Sequence, residues 1–583
     1  MGKSPHFKTM TTEADTRREV RRRIGLRLFL LLALVWAAIH SHEANSALPS
    51  ATRQVGQPTI AAAESPREPT VPWTFRVLDG DTSELMPARV SIRSLRADGP
   101  AEFVLVPIRR PTYYTPEGAE VLTPSIDYRF LGGTVDFFYT PGQSKLDVPK
   151  AGFEIWIQKG FEYEAVRSRV IPEPGKVAQF PLKRWINMPQ EGWYSGDTHI
   201  HMLEGKRLAL HLQAEDLHVG NLLLWRLSYG TPVLGPDVPP GQYAAASAAG
   251  NLAWVGEEFR NDTFGHLSIL DLKKFYEPMT THGPDRLDFP PMYEGLREFR
   301  QQGAMILFSH LGAQPGVESE YPVDVALGMV DGVETFLGWG TRQGLEWWYK
   351  LLNCGFRLPA AAGTDRMGPT RIVGAQRVYV KLDSPFSYRA WIENLKQSHS
   401  FVTNGPLLFL KVNKKPVGET VELADETAKK VRVEAKAVSR IPFEWLEIIA
   451  NGQVIYSLPS APPHHLRAEV QLDVPITRSG WIAARCIGRG EVLFPDIQPR
   501  PTLDGFAHTS PVYISMNKKP IAFRESAEFF RAHIRWLQEW VEANYASPSQ
   551  AEAFLDLFKK ADQVYAGIAK KDRHPSAVVP ATP

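Results

Sequence analysis

Two histidines, His199 and His201, are separated by one residue in the segment GWYSGDTHIHM. Alternate side chains of a β-strand point to the same face, so this spacing directs both imidazoles to one side, where one metal ion can bind both. Asp197 lies two residues earlier, where its carboxylate suits the ion or, as we favour, a hydrogen bond to a ligand imidazole. The pair alone leaves a structural histidine pair open as the alternative.

Three later segments add side chains that commonly bind metals. Glu258 and His266, in WVGEEFRNDTFGHLSIL, flank a turn between two apolar strands. There a carboxylate could bridge two ions while the imidazole caps one, although the two residues on their own would be interpreted as unrelated. His310 follows the apolar run 304–308, and Asp365 follows LPAAAGT. A buried ring nitrogen or carboxylate needs a partner, so we predict His310 and Asp365 as ligands.

Other polar residues lie beside these candidates. Arg260 and Arg366 are predicted to stabilise negative charge on a substrate oxygen, with pairing to nearby carboxylates as the alternative. Glu334, at the end of the strand in DGVETF, is predicted to hold a ligand in place rather than bind the ion. Cys354 and Cys486 are the only cysteines and lie in different predicted domains, so no disulfide is expected. Any metal must therefore be held by imidazole and carboxylate.

The elements that must position these residues lie in 189–405. Helical patterns at 206–217 and 293–302 alternate there with short apolar strands, which predicts an α/β domain. Repeated strand and helix units are typical of a barrel whose chemistry lies at the carboxyl ends of the strands. This region is the predicted metallohydrolase domain.

The flanking regions have a different texture. Short β-rich runs separated by turns, among them 102–108, predict a β-sandwich over 73–188. The β pattern returns over 406–520, with a hairpin turn at Asn451-Gly452, and predicts a second sandwich. Residues 521–583 are predicted to form a helical tail of two amphipathic helices with a frayed end. The fold class expected is multidomain α/β plus β.

The amino terminus indicates export. Several arginines precede the apolar run 28–39, which is short for a bilayer span, and small residues at 44–47 suit cleavage. We predict an export signal over 1–47 and a linker over 48–72, hence a periplasmic or secreted protein. If the segment stays uncleaved, it would tether the protein to the membrane.

Composition bears on partners more than on chemistry. The 66 basic and 64 acidic side chains give a net charge of +2, so no field favours nucleic acid. A small-molecule or polymer-derived substrate is expected instead. The 15 tryptophans and 43% hydrophobic content indicate folded domains rather than extended disorder. The sequence leaves the oligomeric state open.

The order of the candidate residues resembles a known family. His-x-His, then Glu with His a few residues later, then strand-Ser-His, then Gly-Thr-Asp is similar to the polymerase and histidinol phosphatase (PHP) domain. Within it the chain resembles the CehA/McbA-type metallohydrolases, through the phrases GWYSGDTHIHM, EEFR, SFVTNGPLL and HTSPVYI. The first sandwich resembles carboxypeptidase-regulatory-like domains. The resemblance implies a distorted (β/α) barrel with metal ligands at His199, His201, Glu258, His266, His310 and Asp365.

Two departures bear on the number of metal ions. The PHP pattern often ends Asp-x-His, whereas this chain has Met367 two residues after Asp365. Thr-Asp-His after the second strand is also absent, and Trp225 and Arg226 stand there instead. We therefore expect one or two divalent ions, of zinc, manganese or iron, rather than three.

The function expected is an exported metal-dependent hydrolase that uses metal-activated water on an ester, carbamate, amide or phosphoester bond. One alternative is a phosphoesterase, favoured if Arg260 and Arg366 both face the metal and disfavoured if tryptophan surrounds it. Another is a non-catalytic cell-surface protein that binds carbohydrate or protein and has a degenerate metal site. It predicts ligand residues more than about 8 Å apart, since ligand bonds are only about 2 Å long.

Overall fold

The computed structural model describes residues 69–94, 112–114, 120–122, 137–226, 232–261, 263–280, 289–310, 320–336, 341–367, 371–424, 430–488, 505–545 and 547–572. The predicted export signal, nearly all of the predicted linker, the predicted strand at 102–108 and the predicted frayed end lie outside these residues. Within the described part of the chain, no helix is both long and apolar enough to cross a membrane.

The first region is built from two facing β-sheets. Its strands are β1 (Thr70–Asp79), β2 (Ala88–Ser94), β3 (Thr112–Tyr114), β4 (Glu120–Leu122), β5 (Phe138–Thr140), β6 (Gln143–Pro149), β7 (Phe153–Gln158), β8 (Val166–Val170) and β9 (Val177–Leu182). One sheet has the order β4-β3-β6-β1-β9 and the other β5-β2-β7-β8. Trp73, Phe75 and Val77 alternate with more exposed neighbours along β1 and are buried in the shared core, as in a sandwich.

The second region mixes strands and helices. Its strands are β10 (Trp193–Ile200), β11 (Val219–Arg226), β12 (Val233–Leu234), β13 (Gly241–Gln242), β14 (Leu252–Asn261), β15 (Gly265–Leu270), β16 (Met305–Phe308), β17 (Gly332–Phe336), β18 (Ala360–Ala362), β19 (Arg377–Lys381) and β20 (Ser400–Thr403). Its helices are α1 (Gly205–Ala214), α2 (Met292–Gln302), α3 (Tyr321–Ala326), α4 (Thr341–Asn353) and α5 (Tyr388–Lys396). The predicted α/β character is confirmed.

The strand pairing of this region is mixed. β10, β11 and β14 pair in parallel, β14, β15 and β16 pair antiparallel, and β16, β17 and β18 pair in parallel. A single bridge between Ile200 and Arg366 links the chain after β18 back to the end of β10. The other edge of β10 pairs with β19, and β19 pairs in turn with β20.

The third region is again β-rich. Its strands are β21 (Leu407–Val412), β22 (Lys415–Pro416), β23 (Thr420–Leu423), β24 (Lys430–Val438), β25 (Phe443–Ala450), β26 (Gln453–Pro459), β27 (Arg467–Pro475), β28 (Gly480–Gly488), β29 (Ala507–Thr509) and β30 (Val512–Met516). The predicted hairpin turn is confirmed, since Asn451 and Gly452 join β25 and β26 with φ of 51° and 88°. β29 pairs with β20, so the sheet is continuous across the predicted boundary near residue 405.

Two long helices, α6 (Arg524–Asn544) and α7 (Pro548–Lys571), follow. They are amphipathic, as predicted, but they do not form a tail. The ring of Phe264 lies 5.6 Å from that of Trp540 and 5.0 Å from that of Phe554, and the hydroxyl of Tyr565 donates to Pro322 O. The helix pair therefore completes the core of the second region.

Candidate metal centre

Four of the predicted ligands converge in the second region. The Nε2 atoms of His199 and His201 lie 2.9 Å apart. Oδ1 of Asp365 is 3.8 Å from the first and 3.6 Å from the second. The Glu258 carboxylate reaches the same point, with Oε1 at 3.6 Å from His199 Nε2 and Oε2 at 3.4 Å from His201 Nε2.

These separations suit one bound cation. With ligand bonds of about 2.1 Å, neighbouring ligand atoms on a tetrahedral or octahedral ion lie roughly 3.0–3.4 Å apart. His199, His201 and Glu258 are at most 2% exposed. Buried imidazoles and carboxylates at such distances could hold a metal ion.

A second group of ligand atoms shares one residue with the first. Oε1 of Glu258 lies 3.1 Å from His266 Nδ1 and 3.6 Å from His310 Nε2. These three side chains are also buried and mutually close. The Glu258 carboxylate thus lies between two pairs of imidazoles, His199 with His201 and His266 with His310.

The hairpin β14–β15 presents two of these ligands. Its register places Glu258 opposite Ser268 and Arg260 opposite His266. At the turn, Gly265 has φ of 128°, and a Cβ there would lie 2.4 Å from the Phe308 ring, so only glycine fits. The predicted strand, turn and strand around Glu258 and His266 are confirmed.

Hydrogen bonds fix the orientation of the imidazoles of His199, in β10, and His201, just after it. Nδ1 of His201 donates to Leu223 O at 2.8 Å, and Nδ1 of His199 donates to Glu334 Oε2 at 3.1 Å. When such a ring is neutral, its proton lies on Nδ1 and Nε2 has a lone pair for a metal. Glu334 also accepts from Thr198 Oγ1 at 2.7 Å. It therefore makes the supporting contact predicted for it, but from the middle of β17 rather than from the end of the strand.

Charges in the cluster favour a cation. Burial would raise the pKa of Glu258, but Arg260 and His266 outweigh burial and hold it well below its usual range. Burial lowers the pKa of His201 to about 4, so its ring is neutral. Burial alone would also lower the pKa of His199, but Glu334 and Glu258 raise it well above its usual value. The cluster thus combines ionised carboxylates with a neutral imidazole.

Two of the predicted ligands have unusual backbone conformations. His310 has φ of 33° and Asp365 has φ of 44°, a region that residues other than glycine rarely adopt. Such strain concentrates at functional sites. Arg371 helps to hold Asp365, because its NH1 donates to Oδ2 at 2.8 Å and also to the main-chain oxygen of Asp365.

Asp197 does not make the imidazole contact that we expected. Its Oδ1 accepts from the main-chain N–H groups of His199 and Thr364, both at 3.0 Å. Its Oδ2 accepts from Thr364 Oγ1 at 2.6 Å and Gly374 N at 2.8 Å. An irregularity in β10 between Asp197 and Ile200 breaks the regular alternation of faces. Asp197 therefore ties β10 to the segment after β18.

The two predicted catalytic arginines differ. NH1 of Arg260 lies 3.9 Å from Glu258 Oε2, and its guanidinium stacks 4.3 Å from the Trp225 ring centre. NH1 of Arg366 instead donates to the main-chain oxygens of His201 and Met202, at 3.2 and 3.0 Å. These contacts favour a role for Arg366 in holding the end of β10 over a role on substrate oxygen.

Neither a scan against protein-family models nor a search of curated proteins finds a match to this chain. The resemblance to PHP metallohydrolases therefore depends on the sequence motifs.

Sequence reasoning missed several residues that support the cluster. Ser268 Oγ donates to Glu334 Oε1 at 3.1 Å and lies 2.8 Å from Ser309 Oγ. Thr198 and Arg371 were missed as well. Serine, threonine and arginine are too common for their positions to stand out, although Ser309 lies directly before His310. Only tertiary contacts identify them.

Proposed function

We propose that the protein is an exported, metal-dependent hydrolase of the CehA/McbA type, with a distorted PHP-like barrel as its catalytic domain. One observation carries the proposal. The Nε2 atoms of His199 and His201, at the end of β10, lie 2.9 Å apart, and carboxylate oxygens of Glu258 in β14 and of Asp365 after β18 lie 3.4 to 3.8 Å from them.

The arrangement supports one or two ions of zinc, manganese or iron. His199, His201, Glu258 and Asp365 would hold the first, and Glu258 with the two remaining imidazoles would hold the second. A divalent ion bound there acidifies water and polarises the bond under attack, which is the chemistry of hydrolysis. A third ion is not proposed, because the chain lacks the two histidine-bearing motifs noted above.

The chain's own residues prepare the centre for this chemistry. The main-chain oxygen of Leu223 and the Glu334 carboxylate accept from Nδ1 of His201 and His199, which directs Nε2 of each ring towards the metal position. The guanidinium of Arg260 is kept beside Glu258 by the Trp225 ring. From there it can donate to negative charge that develops on a substrate ester, carbamate, amide or phosphoester group.

The alternatives fit the contacts less well. A phosphoesterase was expected to have both arginines at the centre, but Arg366 donates to main-chain oxygens, and Trp225 lies 5.9 Å from the His201 ring. A non-catalytic binding protein predicts ligands more than about 8 Å apart. The observed ligand atoms of His199, His201 and Asp365 are less than 4 Å apart.

Metal analysis combined with an ester and phosphoester panel tests the proposal. The protein purified without added metal should contain about one or two ions per chain and hydrolyse at least one substrate class. His199→Ala should lose both metal and activity. His464→Ala, a change of an exposed histidine in the third region, is the matched control and should retain both. Full activity of His199→Ala would contradict the proposed site.

A further inference from the structure

β18 is three residues long and pairs with β17 along one edge only. Its other side faces β20 of the second region and Ser510 of the third, where main-chain groups need partners because they are buried. Ala360 is 0% exposed. Its N–H donates to Ser510 Oγ at 3.1 Å, and its carbonyl accepts from Ser400 Oγ at 3.0 Å. Two serine side chains therefore replace the missing neighbouring strand.

The two serines complete a closed ring of hydrogen bonds. Their Oγ atoms lie 2.8 Å apart. Because Ser400 uses its proton on the Ala360 carbonyl, Ser510 must donate to Ser400 while accepting from the Ala360 N–H. Ser510 N also donates to Ser400 O at 2.9 Å. Both serines are fully buried, so every donor in the ring has one acceptor and no water is needed.

The segment that contains Ala360 continues to Asp365. Four residues after Ala360, the N–H of Thr364 is taken by Asp197 at 3.0 Å. Between them Gly363 packs against β10, where a Cβ would lie 2.3 Å from His199 Cβ. The segment that carries Asp365 is thus held at one end by Ser400 and Ser510 and at the other by β10.

We propose that Ser400 and Ser510 are positioning residues for the metal centre, through which β20 and the third region together set the register of β18 and so the position of Asp365. The inference rests on the proposed function. One residue of slip along a strand moves the chain by about 3.3 Å, which would carry the Asp365 carboxylate out of reach of a shared ion. The ring at Ala360 opposes that slip, since shifted main-chain groups would lose both serines.

Metal affinity and the visible spectrum of the cobalt(II)-loaded full chain test the proposal. Ser510→Ala leaves the Ala360 N–H without its acceptor, and we expect cobalt to bind roughly 10- to 100-fold more weakly, with altered absorption bands as the Asp365 ligand shifts. Ser510→Cys keeps a weak donor and acceptor, so its cobalt affinity should lie between those of the wild type and Ser510→Ala. It also serves as the test variant if Ser510→Ala does not fold.

Ser479→Ala is the matched control. Ser479 is 4% exposed in the same region, accepts from Met516 N at 2.9 Å and donates to Lys519 O at 2.7 Å. It should lose similar stability but keep wild-type cobalt affinity and spectrum. Wild-type cobalt binding by Ser510→Ala, or an equal loss in Ser479→Ala, would overturn this inference alone. A wild-type chain that binds no metal would overturn the proposed function and this inference with it.

Discussion

Glu334→Gln should weaken metal binding about tenfold or more without unfolding the protein. Glu334 accepts four hydrogen bonds. Its Oε2 accepts from His199 Nδ1 at 3.1 Å and from His310 N at 3.4 Å. Its Oε1 accepts from Thr198 Oγ1 at 2.7 Å and from Ser268 Oγ at 3.1 Å. Glutamine keeps the shape but offers only one acceptor oxygen.

The magnitude follows from the two ways in which the amide can fit. If its nitrogen faces Thr198 and Ser268, their hydroxyls rotate to accept, and the His199 bond loses only its charge assistance. That loss is about 1–1.5 kcal/mol, or about tenfold in the metal dissociation constant. If the nitrogen faces His199, the ring must accept at Nδ1 and carry its proton on Nε2, which removes a ligand. Tenfold is therefore the lower bound.

A chromophoric chelator that competes for zinc measures the change. Glu447→Gln is the control, because it makes the same substitution in a nearly buried residue that pairs with Arg485 at 2.7 Å in the third region. It should leave metal affinity unchanged. If Glu334→Gln binds zinc within twofold of the wild type, or no more weakly than the control does, the assigned role of Glu334 is wrong.

Three further predictions concern the metal, the arginine and pH. Chelation should lower the melting temperature, and excess zinc should restore it. Metal at 1,000 times its dissociation constant stabilises the folded protein by about 4 kcal/mol. Identical melting curves with and without chelator would contradict a bound ion. Arg260→Gln should lower kcat roughly 100-fold or more while metal content measured by elemental analysis stays at the wild-type level, whereas loss of metal would show that Arg260 holds Glu258 instead. Burial, followed by the charge of Arg485, lowers the pKa of His508 to about 3. Its folded pKa is below the unfolded value of about 6.5, so the stability from its neutral ring is present above pH 6.5 and is lost as pH falls. By pH 5 the loss is about 2 kcal/mol, and urea unfolding of His508→Gln should show a smaller acid dependence than the wild type by that amount.

The sequence was informative where chemistry depends on local spacing. The His199 and His201 spacing, the hairpin around Glu258 and the strand ends before His310 and Asp365 are all encoded within a few residues. The strand predicted in DGVETF is likewise observed as β17. The hydrophobic pattern indicates which residues are buried, and a change in that pattern marks the end of a strand.

Other features depend on contacts between distant segments. Glu334 meets His199 across 135 positions, and Ser510 meets Ala360 across 150. Asp197 accepts from main-chain donors beside an irregularity in the pairing of β10 with β11, and Arg366 forms a bridge with Ile200 at the end of β10. Neither a bulge nor a single bridge leaves a periodic signal, so spacing alone could not predict these two side chains.

The packing of Phe264 against Trp540 and Phe554 has a consequence for the order of events during synthesis. The turn that presents His266 is covered by helices that are the last described part of the chain to emerge, and their apolar faces belong to the core of the second region. That core cannot close until α7 has been made. If the amino terminus directs export as proposed, the open core would keep the nascent chain unfolded during translocation, and the second region would complete its folding only afterwards.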